Sequence, residues 1–306
     1  MNTNSKANNV IKPNHKLVLG FHSSGKTTFI AALWHFLHKT IDLNPPYKLT
    51  PPNNREYLEY IWNRWIKFKE VGRTEQENFY DLTFNLYDNQ SKKNVDFSIL
   101  DVSGEIYNIS WQSRSFDDNF HSFVQRSNGA LLFINPLTLH YPNTINEAYE
   151  IFHEVFLKPE GYSFDIESWF EDNPIPWETS DWDADESPSQ VKIIELLQFL
   201  LETIKISKSK FRLAIIISAW DSIGTYEISP ELWTAWRLPL LIQYLITNFQ
   251  YKKNFQFFGI SAQGLDYSDK DLMNELKQKD ASERVIVVGD HNRKTDIFEI
   301  IKWIMS

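Results

Sequence analysis

The stretch Lys16-Leu-Val-Leu-Gly-Phe-His-Ser-Ser-Gly-Lys-Thr-Thr28 decides the fold of this chain. A short apolar run leads into the pattern Gly-x-x-x-x-Gly-Lys-Thr over residues 20–27, and good helix formers follow from Phe29. A strand that passes through this pattern into a helix is the setting of a P-loop, whose backbone N–H groups surround phosphate oxygens. The alternative is a glycine-rich turn that carries a surface lysine. We predict that the stretch binds the phosphates of a nucleotide.

Each residue type in this loop has a chemical reason. Gly20 lets the chain leave the strand sharply, and Gly25 lets the backbone approach an anion closely. Lys26 offers a compact positive charge to the β- and γ-phosphates, which makes it a catalytic candidate, and Thr27 can place a hydroxyl on Mg²⁺. The following helix points its positive end at the phosphates. The predicted phosphate-site residues are Gly20, His22, Ser23, Ser24, Gly25, Lys26, Thr27 and Thr28.

Composition narrows the class of protein. The 306 residues are 42% hydrophobic and 15% aromatic, which is ample for the core of one large α/β domain with insertions. The absence of cysteine excludes disulfides and thiolate metal sites and suits a reducing cytoplasm. A net charge of −9 argues against a broad nucleic-acid-binding face. No apolar run reaches the ~18 residues of a membrane span, so we expect a cytoplasmic protein without one.

Strands and helices alternate along the chain. Apolar runs predict strands over 16–19, 80–86, 95–100, 130–134, 213–218, 255–260 and 285–288. Helical periodicity predicts helices over 25–39, 55–69, 190–206, 230–248 and 296–305. This order favours βαβ units and a mostly parallel sheet with helices on both faces, the α/β architecture of a P-loop NTPase.

Four segments fall outside this alternation. Polar residues 1–14 read as a disordered arm that precedes a single domain over 15–306. Two proline pairs bound a loop inside a helical insertion of about 41–72, and an irregular polar segment surrounds Arg114. Residues 136–188 form an acidic, proline-containing insertion.

Three later motifs each follow a predicted strand, where α/β sheets place their ligands. In Asp101-Val-Ser-Gly104-Glu105, the aspartate can hold Mg²⁺ through water and the Gly104 N–H can meet a γ-phosphate. The alternative is a common acidic turn at a strand end. In Ser218-Ala-Trp-Asp221, the carboxylate could accept hydrogen bonds from the N1–H and N2–H₂ edge of guanine. In Ser261-Ala262-Gln263, backbone amides could meet the guanine O6.

With these four motifs in order, the chain resembles the Ras-like P-loop GTPases of the translation-factor-related class over about residues 16–264 and the last helix. The stretches that start at Ser218, Trp236 and Gly259 look more narrowly like the bacterial double-GTPase family, thought to act in conflict or antiviral defence systems. The resemblance implies GTP or GDP with Mg²⁺ as cofactors. It also implies that Asp101 and Gly104 form the second switch.

By the same resemblance, Asp221 would read guanine, and Ser261 and Ala262 would back the base. A first switch should supply a threonine that binds the metal and supports catalysis. Thr74 is our candidate and Thr50 its rival.

The chain departs from the family pattern in two places. Where the guanine-reading motif usually opens Asn-Lys, this chain has Ser218-Ala219, and the lysine stem that covers the base is lost. Trp220 could stack on the base instead, or pack in the core. Glu105 stands where many relatives carry a glutamine that orients the attacking water, and it is our catalytic candidate for positioning that water. Because its negative charge near a γ-phosphate is unfavourable unless it is paired, we expect slow hydrolysis that depends on an arginine. That arginine would come from a partner, from Arg73 or from Arg114.

The leading hypothesis is a GTP-binding switch with slow, Mg²⁺-dependent GTP hydrolysis, read by a protein effector that senses the two switch segments. One alternative is a pseudo-GTPase scaffold that binds nucleotide without turnover, which Glu105 and the missing Asn-Lys motivate. Another is an ATPase or kinase that shares only the P-loop. His22 could face the γ-phosphate or solvent, and Trp233 and Trp236 are expected in the core. The sequence leaves the oligomeric state open.

Overall fold

A computed structural model of the chain describes residues 14–39, 47–50, 54–69, 79–88, 92–116, 118–141, 187–223, 228–250, 253–264 and 270–306. The described strands form one sheet in the order β2-β3-β4-β1-β5-β6-β7-β8-β9. The strands are β1 (Asn14–Leu19), β2 (Tyr47–Thr50), β3 (Phe79–Asp88), β4 (Lys93–Val102), β5 (Gly129–Ile134), β6 (Arg212–Ile217), β7 (Phe255–Ser261), β8 (Ile286–Val288) and β9 (Lys294–Thr295).

The middle of the sheet is parallel and its two edges are antiparallel. Strands β4, β1, β5, β6 and β7 pair parallel with one another. Strands β2 and β3 on one side, and β8 and β9 on the other, pair antiparallel. Because β1 lies between β4 and β5, the chain order reverses at its carboxyl end, which is where open α/β sheets form a ligand crevice. The mostly parallel α/β sheet is therefore confirmed.

Helices cover both faces of this sheet. They are α1 (Lys26–Lys39), α2 (Arg55–Ile66), α3 (Gly104–Ser113), α4 (Asp118–Arg126), α5 (Ser189–Thr203), α6 (Pro230–Arg237), α7 (Pro239–Asn248), α8 (Lys270–Leu276) and α9 (Ile297–Met305). Side chains of a strand alternate between faces, so Leu17 and Leu19 of β1 join one core while Val18 joins the other. The first core packs α3 to α7 against the sheet, and the second packs α1, α2 and α9.

Three predictions about local structure were wrong. The segment expected to be irregular around Arg114 contains α3 and α4, which bury Tyr107 and Phe120 completely. Strand β2 lies where a loop was expected and pairs with β3 through Leu49 opposite Leu86. The helix expected over 230–248 is broken into α6 and α7 before Pro239, whose missing N–H and ring cannot continue a helix.

The tryptophans of α6 separate into two environments. Trp233 is 5% exposed and joins the core, as expected, but Trp236 is 75% exposed, so that half of the prediction was wrong. Residues 1–13 of the predicted arm and 142–186 of the acidic insertion lie outside the described residues. Within the part of the chain that the structure describes, no helix is long and apolar enough to cross a membrane.

Candidate nucleotide site

The loop after β1 has the backbone that its glycines permit. Gly20, Ser23 and Gly25 have positive φ angles of 149°, 56° and 87°. A Cβ on Gly20 would lie 2.5 Å from the Ser24 hydroxyl and 2.8 Å from the Phe133 carbonyl oxygen, so only glycine fits there. The loop wraps tightly at the carboxyl end of β1 and leads directly into α1.

Lys26 is buried inside this loop. Its Nζ donates to the carbonyl oxygens of Gly20 at 2.6 Å and Phe21 at 3.0 Å, and to the Ser24 hydroxyl at 3.3 Å. It also lies 5.7 Å from the centre of the Tyr107 ring. Burial lowers the pKa of Lys26 to about 8, against the opposing charge of Asp101. The ammonium group is thus held where phosphate oxygens could replace the carbonyls.

Asp101 lies at the carboxyl end of β4 and is fully buried. Its Oδ2 accepts a hydrogen bond of 2.6 Å from the Tyr57 hydroxyl, whereas Oδ1 has no hydrogen-bond partner among the described residues. Burial raises the pKa of this carboxyl group, and the Tyr57 hydroxyl, the Lys26 charge and the Thr27 hydroxyl oppose the rise.

These oxygens fit a magnesium ion. Mg²⁺ prefers oxygen ligands, keeps several waters, and is bound in nucleotide sites by one or two protein groups and the phosphates. A buried carboxylate oxygen without a partner and the nearby Thr27 hydroxyl match that demand. Among the described residues no group of three histidine, aspartate or glutamate side chains could hold a metal by themselves.

Gly104 brings the second motif onto the P-loop. It is the first residue of α3, and a Cβ at this position would lie 2.5 Å from the His22 backbone nitrogen. Glu105 is the next residue of the helix. His22 itself is half-buried, with its Nδ1 2.8 Å from the Ser23 hydroxyl oxygen. The start of α3 and the P-loop backbone are therefore in direct contact.

This contact makes a prediction about Gly104→Ala. The added methyl group meets backbone atoms of the P-loop, and overpacking of this kind costs about 1–3 kcal/mol. We expect α3 to shift away from the loop and GTP affinity to fall by roughly 5- to 150-fold for that cost. Titration with a fluorescent GTP analogue measures the change. Gly289→Ala is the matched control, because the nearest atom there is 3.8 Å away. Equal affinities of the two variants would contradict the prediction.

The third motif follows β6; its Ser218 lies against the P-loop, whereas its Trp220 lies in the core. Ser218 donates its N–H to the Ile134 carbonyl oxygen at 2.9 Å, and its Cβ lies 3.1 Å from where a Cβ on Gly25 would be. Asp221 is half-buried in a short helical turn over Trp220–Ile223. Trp220 is 2% exposed and packs against Gly259, so the structure favours the core alternative for this ring over stacking on a base.

The fourth motif follows β7 and is fastened to α2. The Ser261 hydroxyl accepts a hydrogen bond from the Gly264 N–H at 3.0 Å. The indole N–H of Trp65 donates to the Ala262 carbonyl oxygen at 2.8 Å, and the Gln263 side-chain amide donates to the Trp65 carbonyl oxygen at 3.4 Å. Because Trp65 is completely buried, these two hydrogen bonds fix the position of the loop that was expected to contact the guanine base.

Of the two candidates for the first-switch threonine, the structure describes only Thr50. Thr74 and Arg73 lie outside the described residues. Thr50 pairs with Asn85 of β3, whereas Asp101 pairs with Tyr80 of the same strand. Five residues of strand span roughly 17 Å, so Thr50 lies about that far along the sheet from Asp101.

Two further predicted residues, Arg114 and Thr28, lie among the described residues. Arg114 lies at the far end of α3, where it forms an ion pair with Glu195 and packs 4.3 Å from the centre of the Trp111 ring. Thr28 is half-buried in the first turn of α1.

Two contacts of the P-loop were missed in the sequence. Asn135 directly follows β5, donates to the Ser23 carbonyl oxygen at 2.8 Å, and accepts from the Leu137 N–H at 3.0 Å. Its position at a strand end is the same signal that selected the other motifs. Tyr107 donates to the Val18 carbonyl oxygen at 2.7 Å from beneath Lys26, and a buried tyrosine in an amphipathic helix carries no local signal of such a role.

A family model described as Double-GTPase 1 matches residues 17–304. No curated protein matches the sequence. Among solved structures, the chain is similar to Methanosarcina barkeri Roco2 RocCORdC bound to GDP, at 12% identity and a TM-score of 0.29. The match covers 95% of this chain but only 55% of that one, and a TM-score of this size does not establish a common fold.

Proposed function

The chain belongs to the Double-GTPase 1 family, and on this premise we propose that it is a guanine-nucleotide-binding switch that hydrolyses GTP slowly with Mg²⁺. The observation that carries the proposal is the convergence of four motifs at one edge of the sheet. They follow β1, β4, β6 and β7, which run parallel. Gly104 and Ser218 both reach the P-loop.

Phosphate binding rests on charge and backbone already in place. The ammonium group of Lys26 would exchange its bonds to the Gly20 and Phe21 carbonyl oxygens for bonds to phosphate oxygens. The N–H groups at the start of α1 and the positive end of that helix favour the same anion. Asn135 holds Ser23 in its positive-φ conformation, so the loop needs little rearrangement.

The residues that would hold Mg²⁺ are Thr27 and, through water, Asp101. The bound ion would supply charge neutralisation at the β- and γ-phosphate oxygens. A third ligand from the first switch, for which Thr74 is our candidate, would complete the site. Gly104 would sense the γ-phosphate through its N–H, because this first residue of α3 lies directly against the P-loop backbone.

Hydrolysis is proposed to be slow because Glu105 stands in place of a water-orienting glutamine and the one described arginine candidate is engaged elsewhere, whereas Arg73 lies outside the described residues. Glu105 carries a negative charge next to Gly104, and the Arg114 side chain is paired with Glu195. An arginine supplied by a partner is worth roughly 10³–10⁵ in rate. We therefore propose a protein regulator or effector that senses the two switch segments, in the setting of a bacterial defence system.

Base selection provides a prediction for Asp221→Asn. The carboxylate would accept two donors from guanine, and hydrogen bonds to a charged group contribute about 1.5–3 kcal/mol each. An amide can accept one of these donors but presents its own N–H to the other. We expect GTP affinity to fall by roughly 10²–10⁴-fold, the equivalent of about 3–6 kcal/mol. Displacement of a fluorescent GDP analogue measures it, with the exposed Asp118→Asn as control. An unchanged affinity would exclude Asp221 as the guanine reader.

A single-turnover assay tests the switch against its alternatives. Protein in excess over radiolabelled GTP should release phosphate slowly, only with Mg²⁺ and not in a Lys26→Ala variant. Binding without any release over many hours would favour the nucleotide-binding scaffold. Phosphate transfer that needs an added acceptor, or equal turnover of ATP, would favour the kinase or ATPase.

A further inference from the structure

Helix α2 lies in the sequence between Thr50 and Thr74, the two candidates for the threonine of the first switch, and it reaches the metal side of the site. Its residue Tyr57 donates a hydrogen bond of 2.6 Å to Asp101 Oδ2, across 44 positions of sequence. None of the roles assigned above to the P-loop, Gly104 or Asp221 requires a tyrosine at this place.

The Tyr57 ring is held against the sheet by a stacked partner. It stacks on the Tyr80 ring with centroids 3.7 Å apart and an angle of 7° between the planes. Tyr80 is in turn the strand partner of Asp101. The start of α2 is fastened by Asn54, which donates to the Asp81 carbonyl oxygen at 2.8 Å. The position of the hydroxyl is therefore set by the sheet that also sets the carboxylate.

The other end of α2 is fastened too. The Trp65 indole donates to the Ala262 carbonyl oxygen, and the Arg284 guanidinium lies 5.3 Å from the Trp65 ring centre. Helix α2 is therefore held by contacts at both its first and its last turn. A hydroxyl group placed by such a helix is pre-organised rather than selected from many rotamers.

Burial indicates which partner needs this bond. Tyr57 is only half-buried, so its hydroxyl could bond to water instead. Asp101 is completely buried, so its carboxylate has no water to bond to and carries the full free-energy cost of desolvation. With Oδ2 occupied by Tyr57, Oδ1 is the oxygen of Asp101 that stays without a partner among the described residues.

We propose that Tyr57 is a positioning residue that holds the Asp101 carboxylate through Oδ2 and leaves Oδ1 to receive a water of the magnesium ion. The inference rests on the proposed function, because it assumes a Mg²⁺–guanine nucleotide complex in this site. Groups that orient a metal-binding carboxylate in this way typically contribute 10- to 100-fold to metal affinity, which is about the size of effect expected here.

The test compares Tyr57→Phe with Tyr60→Phe. Tyr60 lies on the same helix, is 52% exposed, and serves as the matched control. Fluorescent GDP binding is measured as free Mg²⁺ is varied, and separately in excess EDTA. Tyr57→Phe should raise the half-saturating Mg²⁺ concentration by about 10- to 100-fold and leave the affinity in EDTA unchanged, because only the metal-side carboxylate has lost its anchor.

The outcomes separate this inference from the proposed function. If Tyr57→Phe behaves like Tyr60→Phe, or if it weakens binding equally with and without Mg²⁺, the positioning role is overturned. If the unmodified protein binds no guanine nucleotide, the proposed function fails first. Should Tyr57→Phe not fold, hydrogen exchange of the unmodified GDP complex decides: added Mg²⁺ should slow exchange in residues 57–66, and no slowing there overturns the proposal.

Discussion

Replacing Lys26 with alanine is expected to weaken GTP binding by about 30- to 5,000-fold, the equivalent of roughly 2–5 kcal/mol for loss of one partner from a buried charge pair. The side chain is 6% exposed, and its three hydrogen bonds all stay within the loop. No other described lysine or arginine lies inside that loop, so nothing replaces the lost charge.

Lys302→Ala is the control for this prediction, because Lys302 is exposed on α9. Calorimetric titration of GTP into both variants measures the affinities, and circular dichroism checks that each retains its fold. A Lys26→Ala variant that binds GTP within threefold of the unmodified protein would contradict the assigned role of the P-loop.

A second large effect is expected from Lys16, which is 2% exposed in β1, far from the nucleotide edge. Burial, with the nearby charge of Arg212, lowers the pKa of Lys16 to about 7 from 10.5. Between these values the unfolded chain holds more protons than the folded one, so stability rises with pH. Below about pH 7 the full penalty of burying the charge is present.

Lys16→Met removes that penalty and should stabilise the protein near pH 7 by up to roughly 5 kcal/mol. The gain should shrink as pH rises toward 10, because the lysine of the unfolded chain then also approaches neutrality and the folded and unfolded protonation states become alike. Urea unfolding at pH 7, 8.5 and 10 measures this, with Lys302→Met as the exposed control. A stability difference that stays constant over this range would contradict the prediction, because it would mean that Lys16 binds its proton equally tightly in the folded and unfolded chains.

The centre of the fold could be predicted because its pattern is local. The run Ala130–Ile134 is apolar on both faces, as a strand covered by helices on both sides must be. The antiparallel edges of the sheet could not be predicted in this way, because β2 is defined by its pairing with β3, which is distant in the chain. Helix α4 was not predicted because most of its residues are polar. The burial of its Phe120 and Phe123 depends on packing with α5, which is distant in the sequence.

The candidate site divides in the same way. Its phosphate and base motifs stand at strand ends, and parallel strands carry their ends to one edge, so their convergence was foreseeable. The contacts made by α2 were not. The helical periodicity of residues 55–69 predicted a helix, but the bonds to Asp101 and Ala262 depend on where that helix lies. The burial of Trp220 in the core likewise depends on a distant residue, Gly259, whose missing side chain leaves room for the indole ring.

The central claim is that the four strand ends form a site for a guanine nucleotide with Mg²⁺. Calorimetric titration of the unmodified protein with GTP, GDP and ATP, each with Mg²⁺, tests it most directly. We predict one site that binds GTP and GDP and prefers them to ATP by at least about 100-fold, as two hydrogen bonds to the Asp221 carboxylate require. Equal binding of ATP and GTP, or no binding of either, would contradict the account.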